Sequence, residues 1–172
     1  MSGAFEIILA GENDAARWNE FVKGCADATF FHLFGWRRVI ERVYGYNACY
    51  LMALEDGAVV GVLPLIDVNS PLLGRSLIST AFTVGGGIAS DSDECRRALA
   101  RAALREGERR RVRYVELRSP VAKIDDWAVK NSVYAGFEAP LCADAANALA
   151  AIPRKRRAEV KKGIGALESG AL

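Results

Sequence analysis

The chain has 172 residues, of which 51% are hydrophobic and 26% are charged, and its formal net charge is +2 at pH 7. This composition predicts one globular domain, or one and a half, and excludes a globally disordered chain. So small a charge excludes a whole-chain attraction to DNA or to an anionic membrane. The first residues have no basic start, and no apolar run is long enough to span a bilayer, so we expect a cytoplasmic protein.

The four cysteines are spread along the chain without a CxxC pair, at Cys25, Cys49, Cys95 and Cys142. A disulfide framework is not expected at this length and cysteine content, so we interpret them as reduced side chains, mostly in the core. His32 is the only histidine. Because zinc sites need clustered cysteine or histidine ligands, we expect no metal site.

The N-terminal quarter predicts a strand and two helices. Phe5 to Leu9 is a short apolar strand, and Asn13 or Asp14 can cap a helix that runs to about Lys23. A second helix follows through Tyr44, before Gly45. Its apolar residues recur at helical spacing: Trp36, Val39, Ile40, Val43 and Tyr44.

The next stretch, from Asn47 to Gly87, predicts the nucleus of a sheet. Two apolar runs joined by Asp56-Gly57 are typical of a β-hairpin. A third run, Ser76 to Val84, follows a Pro/Gly break and ends at three glycines. We therefore expect three antiparallel strands.

Helix and strand signals alternate in the second half of the chain. Asp91 and Glu94 have capping-box spacing, and the helix after them is expected to bury Cys95, Ala98, Leu99, Ala102 and Leu104. Val112 to Leu117 and Ser132 to Leu141 are predicted strands. Asp144 can cap a short helix to Ala151, and Pro153 starts the last helix.

Three short features suggest chemistry, and each has a structural alternative. Gly85-Gly86-Gly87 precedes a helix, as a phosphate loop does, but it matches neither common glycine pattern and acidic residues follow it, so we favour a tight turn. For His32 we favour a positioned structural or substrate-contacting role, because no carboxylate or nucleophile lies nearby for acid–base work. Glu116 and Arg118 fall on one side of a strand end, which favours an ion pair that shapes a cleft.

The last helix is strongly basic. Its first nine residues, 154–162, contain six Lys or Arg and only Glu159 in opposition. A solvated face is the favoured interpretation, and a face that contacts phosphate is the alternative. Sequence-specific nucleic-acid binding is not expected, because no aromatic residue is interleaved.

Taken together, these residues resemble the FemAB family of transferases, particularly the FemAB-like proteins associated with exosortase/PEP-CTERM systems. The resemblance rests on Phe31-His32, Trp36, Tyr44-Gly45, Tyr50-Leu51, Gly57, Gly61-Val-Leu-Pro-Leu65, Leu77-Ile-Ser79, Phe82, Gly86-Gly87, Glu116-Leu-Arg118, Arg154-Lys-Arg-Arg157 and Val160-Lys161-Lys162. They occur in one order along nearly the whole chain.

The resemblance implies an α/β (α+β) domain of the GNAT acyltransferase type, with a mixed, mostly antiparallel sheet flanked by helices. FemAB-like proteins have two such domains in tandem. Residues 1–152 then form the N-terminal domain, and 153–172 form a basic helix that leads to a second domain, absent here. The implied activity is transfer of an acyl or aminoacyl group to an amine of an acceptor related to the cell wall or to exopolysaccharide. A non-catalytic acceptor-binding or interaction module is the alternative.

The same resemblance implies acyl-CoA or aminoacyl-tRNA as co-substrate of the full enzyme. The GNAT pyrophosphate loop, Arg/Gln-x-x-Gly-x-Gly/Ala, has Val160 where its first residue belongs, so we expect this half to bind no donor. Val84 replaces the tyrosine common before the glycines in relatives. A phosphorylated or glycan-linked acceptor is the expected partner, with the missing domain or a second copy completing the protein. No catalytic residue is assigned, and the expected substrate contacts are His32, Trp36, Arg37, Arg38, Phe82, Glu116, Arg118, Arg154, Arg157 and Lys161.

Overall fold

The computed structural model describes residues 5–72, 74–119, 124, 127–130, 140 and 142–170. The chain divides into two compact units, Met1–Ala128 and Val129–Leu172, and we describe each by itself. The predicted domain border at residue 152 stays a prediction.

The first unit is a mixed sheet with helices packed on it. Its elements are β1 (Glu6–Leu9), α1 (Ala15–Gly24), α2 (Gly35–Tyr44), β2 (Asn47–Glu55), β3 (Ala58–Ser70), β4 (Gly74–Ser79), β5 (Ala89–Ser90), α3 (Asp93–Arg110) and β6 (Tyr114–Glu116). The strand order is β1-β2-β3-β4-β6, with β5 paired to β3. All neighbouring strands are antiparallel except β4 and β6.

The β2–β3 hairpin is the centre of the sheet, as the sequence predicts. Asp56 and Gly57 both have positive φ, 50° and 83°, which a two-residue hairpin turn with the twist of its strands requires. The register pairs Glu55 with Ala58 next to the turn and Asn47 with Asp67 at the far end. An Asp-Gly turn between two apolar runs therefore sets the pairing of the longest strands.

Apolar side chains cover both faces of the hairpin, because successive residues of a strand point to opposite faces. Tyr50 and Met52 belong to one buried cluster with Trp18 of α1 and Ile40 of α2. The intervening residues Cys49, Leu51 and Ala53 belong to a second cluster, which includes Leu99 of α3. The sheet thus has a core on each side, with α1 and α2 against one and α3 against the other.

Helix α3 connects β4 to β6 and approaches the sheet closely at Gly61. A Cβ built on Gly61 would lie 2.6 Å from Sγ of Cys95 and 3.0 Å from Cδ1 of Leu99. A glycine at this point of β3 lets the helix pack directly on the strand backbone. The crossover then returns the chain parallel to β4, with Ser76 opposite Tyr114.

A buried charged cluster, which sequence reasoning missed, joins β3, β4 and the end of α3. Asp67 is 3% exposed and accepts hydrogen bonds from Arg75 at 2.7 and 2.6 Å and from Arg110 at 2.9 Å. Burial by itself raises the pKa of Asp67, but the two guanidinium groups outweigh it and hold that pKa below its usual range. Glu106 pairs with the same Arg110 at 3.1 Å.

Three predictions about these elements were wrong in detail. The third strand ends at Ser79, not Val84, because Thr80 and Phe82 adopt positive φ (41° and 68°) and turn the chain away. Ser92, not Asp91, caps α3, and its hydroxyl accepts the Cys95 amide. Leu104 is 43% exposed, since it lies off the face that packs on the sheet.

The apolar stripe of α2 is buried only in part. Ile40 is fully buried, whereas Val43 and Tyr44 are 67% and 48% exposed. Of the predicted stripe, Ile40 is buried and Trp36 partly buried, whereas Val39, at 39%, is exposed as well; helical spacing therefore predicted the buried face of α2 only in part.

The second unit contains α4 (Ala145–Ala151) and α5 (Arg154–Glu168). Both predicted starts are confirmed: the Asp144 carboxylate accepts the Asn147 amide at 2.7 Å, and Pro153 directly precedes α5. The predicted strand Ser132–Leu141 falls on residues of which the structure describes only residue 140. None of the described helices is long and apolar enough to cross a membrane.

Candidate functional site at the carboxyl edge of β4 and β6

The parallel strands β4 and β6 mark the candidate site. In sheets with parallel strands, ligands bind outside the carboxyl ends of the strands, where the connecting loops leave a crevice. Here those ends are Ser79 and Glu116, and the segment between β4 and α3 contains the three glycines. Polar side chains and a glycine loop therefore converge at this edge.

Glu116 and Arg118 form the ion pair expected from their spacing. Nε of Arg118 lies 2.7 Å from Oε1 of Glu116, and the two side chains are 38% and 42% exposed. The backbone N–H of Arg118 donates to Oγ of Ser79 at 2.8 Å. This side-chain hydrogen bond takes the place of the backbone hydrogen bonds between β4 and β6 where the two strands end. The pair is thus anchored to β4 and accessible to a ligand.

The glycine loop is a tight turn, as expected. Gly85 and Gly87 have φ of 69° and 120°, which favour glycine. A Cβ on Gly86 would lie 1.6 Å from Oγ1 of Thr80, and one on Gly87 would lie 2.8 Å from Cβ of Ser119. The loop therefore packs against the residues that follow β4 and β6, and side chains at these positions would not fit.

His32 holds this loop in place. It ends a short 3-10 turn, Phe30–His32, and is 1% exposed. The Thr29 amide donates to its Nδ1 at 3.0 Å, so Nε2 carries the proton and donates to the carbonyl oxygen of Gly87 at 3.2 Å. The Thr29 hydroxyl donates to the Gly85 carbonyl at 2.9 Å.

Burial lowers the pKa of His32, and the hydrogen bond to the Gly87 carbonyl opposes that shift only partly. A neutral ring fits the observed geometry, because Nδ1 accepts a hydrogen bond and cannot also carry a proton. Both ring nitrogens are thus used within the fold. A direct contact of His32 with substrate stays a prediction.

The predicted arginines of α2 are engaged with neighbouring acidic and backbone groups. Arg37 pairs with Glu41 at 3.0 Å and donates to the carbonyl oxygen of Ala10 at 3.2 Å. Arg38 pairs with Glu12 at 2.6 Å on the surface. A ligand can contact either guanidinium group only if that group shares or releases its present partner.

Trp36 and Phe82 lie in two separate aromatic groups. Trp36 packs edge-on against Phe31, with ring centroids 5.2 Å apart, and its buried indole N–H has no partner among the described residues. Phe82, half-exposed, stacks on Tyr44 at 4.3 Å and lies nearly parallel to Tyr46 at 5.8 Å. Sequence reasoning did not assign Tyr46 to the site; its only signal was an aromatic immediately before β2.

The remaining predicted contacts belong to the second unit. Arg154 and Lys161 are exposed on α5. Arg157 instead donates to the carbonyl oxygens of Ala150 at 2.7 Å and Ile152 at 2.9 Å, at the end of α4. It therefore stabilises the joint between the two helices, and its expected phosphate contact stays a prediction.

No metal centre was found in the part of the chain that the structure describes, where no three His, Cys, Asp or Glu side chains come together. Cys25, Cys49 and Cys95 are free and buried, and Cys142 is free and exposed. Burial raises the pKa of the Cys49 thiol to about 11, so that thiol is not a reactive thiolate.

This architecture is a GNAT-type acyltransferase fold: a mixed, mostly antiparallel sheet flanked by helices. The structure is similar to a ribosomal-protein-alanine N-acetyltransferase from Brucella melitensis biovar Abortus 2308, with a TM-score of 0.52 and 18% identity over 74% of this chain and 96% of that one. It is also similar to a GNAT family acetyltransferase from Staphylococcus aureus, with a TM-score of 0.51 and 11% identity over 80% of this chain and 99% of that one.

At these identities the likeness establishes the predicted fold class and nothing finer. No protein-family model matches the sequence, and no curated protein matches it either.

Proposed function

We propose that this chain is the acceptor-binding half of a FemAB-like N-acyltransferase. It would transfer an acyl or aminoacyl group to an amine of an acceptor related to the cell wall or to exopolysaccharide. The observation that carries the proposal is the GNAT-type fold with an accessible Glu116–Arg118 pair at the carboxyl edge of its parallel strands. The resemblance of Phe31-His32, Trp36 and Glu116-Leu-Arg118 to FemAB-like proteins supports the narrower assignment.

The chemistry is attack of an amine nitrogen on the carbonyl carbon of an activated ester. The nitrogen–carbon bond forms, and the ester oxygen of an aminoacyl-tRNA or the thioester sulfur of an acyl-CoA leaves with the bonding pair. The proton lost by the amine passes to that leaving atom or to water. Such a reaction depends on orientation and on stabilising the carbonyl oxygen more than on a strong acid or base. That requirement agrees with a site whose described residues offer an ion pair and a glycine loop.

In this proposal Arg118 recognises an acidic group of the acceptor, and Glu116 holds its guanidinium in place. Arginine suits carboxylate and phosphate because its planar fork gives two parallel hydrogen bonds. In the second unit, taken by itself, we propose the exposed α5 residues Arg154 and Lys161 as contacts for a phosphate group.

The residues that start α3 do not fit the pyrophosphate of acyl-CoA. Free amides at a helix start attract phosphate, but here Asp93 and Glu94 occupy the first turn and Asp91 precedes the Ser92 cap. Arg96 of α3 is paired with Asp27 and Asp93. We therefore place no CoA pyrophosphate at the start of α3 and derive no step through CoA.

A non-catalytic acceptor-binding module is the second candidate. The observation that favours it is the burial, in the first unit, of the potential catalytic side chains His32, Cys25, Cys49 and Cys95. In that case the same edge would bind the acceptor without turnover.

One set of measurements tests both candidates. The full chain is mixed with acyl-CoA or aminoacyl-tRNA and an amine-bearing, phosphorylated muropeptide or amino sugar, and product is followed by mass spectrometry while acceptor binding is followed by calorimetry. Turnover supports the transferase, and acceptor binding without turnover supports the module. If Arg118→Gln binds the acceptor as tightly as the wild type, the assignment of this edge is wrong; Arg17→Gln, in a surface ion pair with Asp14, is the matched control.

A further inference from the structure

Helix α5 has an apolar stripe that the second unit does not bury. Val160, Ile164 and Leu167 follow each other at helical spacing, so their side chains lie along one side of the helix. They are 38%, 46% and 70% exposed, and no described residue of α5 is buried. A helix of a globular domain normally packs such a stripe on its own core. The stripe therefore has no covering layer within the described part of this unit.

The same helix is strongly basic. Arg154–Glu168 contains six Lys or Arg and two Glu, a formal charge of +4, which exceeds the +2 of the whole chain. Four of the basic side chains are exposed and make no ion pair among the described residues: Arg154, Lys155, Lys161 and Lys162. A strong positive charge thus lies on the same helix as the uncovered stripe.

Basic residues lie on both sides of the stripe. With 3.6 residues per turn, Arg156 falls on one side of it and Lys161 on the other. The long stems of Lys and Arg can lie along an apolar surface while the charged ends stay in water. A helix with an apolar stripe between basic residues suits the interface of a lipid bilayer, where acyl chains meet phosphate headgroups.

We infer that α5 binds the surface of an anionic lipid bilayer. Val160, Ile164 and Leu167 enter the boundary between headgroups and acyl chains, and the Lys and Arg side chains contact the lipid phosphates. Removal from water favours insertion of the apolar residues, and each Lys or Arg near an anionic surface strengthens binding about fivefold. The inference does not rest on the proposed function, because lipid binding requires neither donor nor acceptor.

Two other partners account for only one of these features. A nucleic acid matches the charge, but it leaves the apolar stripe in water, and α5 has no aromatic residue on which bases could stack. A second helix in a coiled coil covers the stripe, but a coiled coil is expected only where the repeat continues for about three heptads or more, and α5 has 15 residues. An anionic bilayer accounts for both the charge and the stripe.

Co-sedimentation of the full chain with vesicles tests the inference. Binding is expected to mixed phosphatidylcholine–phosphatidylglycerol vesicles and not to phosphatidylcholine alone. It is expected to weaken about tenfold or more between about 0.1 M and about 1 M NaCl, because the Debye length shortens. Inorganic phosphate at equal ionic strength should not release the chain. The inference is overturned by no binding to the mixed vesicles, equal binding to both kinds, release by phosphate, or tighter binding to single-stranded RNA.

A matched pair of variants tests the stripe. Ile164→Ser removes an apolar side chain from it, whereas Ala158→Ser places a serine on the opposite side of the same helix. Ile164→Ser is expected to weaken vesicle binding about tenfold, with Ala158→Ser close to the wild type. Equal affinity of the two variants, both with native circular dichroism, contradicts insertion of the stripe.

A second pair of variants tests the charge. Lys161→Gln combined with Lys162→Gln is expected to weaken vesicle binding roughly 25-fold, because two positive charges are lost. Lys161→Arg combined with Lys162→Arg keeps both charges and should bind as the wild type does. If the glutamine variant binds as tightly as the arginine variant, the inference is wrong.

Tryptophan fluorescence gives a measurement in which the stripe stays apolar. In Leu167→Trp, the emission is expected to shift to shorter wavelength when the mixed vesicles are added, and to be quenched by brominated acyl chains. Ala158→Trp, on the opposite side of the helix, should show neither change. The same response in both variants, or no response in Leu167→Trp, overturns the proposed orientation of α5.

Discussion

Nε2 of His32 donates a hydrogen bond to the carbonyl oxygen of Gly87 across 55 residues of sequence, at 3.2 Å. This contact makes the single histidine a structural support for the glycine loop. It also explains why the ring is buried without a charged partner, since both nitrogens are satisfied by backbone groups and the ring stays neutral.

Replacing His32 by leucine is expected to destabilise the fold by about 2 kcal/mol, because the Thr29 amide and the Gly87 carbonyl lose their partner inside the protein. His32→Gln can still donate toward Gly87 and is expected to lose less. Urea unfolding measures the loss of stability in both variants, and hydrogen exchange of the Gly85–Ile88 amides shows whether the loop becomes more mobile. Equal stability of His32→Leu and wild type would contradict the role of His32 as a support.

Folding stability is expected to depend on pH through the same ring. The pKa of His32 is lower in the folded protein than in the unfolded chain, where it is about 6.5. The unfolded chain therefore binds the proton first, so stability is complete above about pH 6.5 and falls as the pH is lowered from there toward the folded pKa. Unfolding free energies measured from pH 8 to 5 should show this slope in the wild type and not in His32→Leu.

Asp67→Asn is expected to destabilise the protein by about 3 kcal/mol, since it leaves Arg110 and Arg75 near a buried group that no longer carries charge. The pKa of Asp67 is depressed in the folded state, so the contribution of the carboxylate is complete above about pH 4 and is lost as the pH falls through the folded pKa. The two proteins should therefore converge in acid. Glu159→Gln, in an exposed pair with Arg156, is the control and should cause no measurable loss.

Gly61→Ala tests the close approach of α3 to the sheet. The new methyl group would meet Sγ of Cys95, and overpacking of this kind costs about 2 kcal/mol. Adding Cys95→Ala should recover part of the loss. Gly163→Ala, where α5 has open space around the glycine, should instead be neutral or stabilising by up to about 1 kcal/mol. Thermal unfolding of the wild type and the three variants checks the order.

The basic face of α5 gives a prediction about the acceptor. Arg154→Gln and Lys161→Gln are expected to raise the KM for a phosphorylated acceptor and to leave kcat and the KM for an unphosphorylated analogue unchanged. Arg157→Gln should also lower the helicity of the second unit, because its guanidinium holds the carbonyl oxygens of Ala150 and Ile152. Equal effects on both acceptors would show that the face does not recognise phosphate.

The sequence by itself determined the elements whose signals are local. The Asp56-Gly57 turn, the Asp144 cap and Pro153 at the start of α5 depend on a residue and its nearest neighbours, and the structure agrees with each. The Glu116–Arg118 pair follows from a spacing of two residues on a strand and was predictable for the same reason.

Only the tertiary structure decided the partners that are distant in sequence. The partners in three such contacts are separated by many residues: His32 and Gly87, Asp67 and Arg110, and Tyr46 and Phe82. A hydrophobic periodicity does not predict which loop contacts which turn. The end of β4 at Ser79 also belongs here, because the positive φ values of Thr80 and Phe82 oppose their local preferences and persist only where surrounding packing holds them. The sequence thus determined the sheet and its order of elements, and packing determined the geometry of the glycine loop at the candidate site.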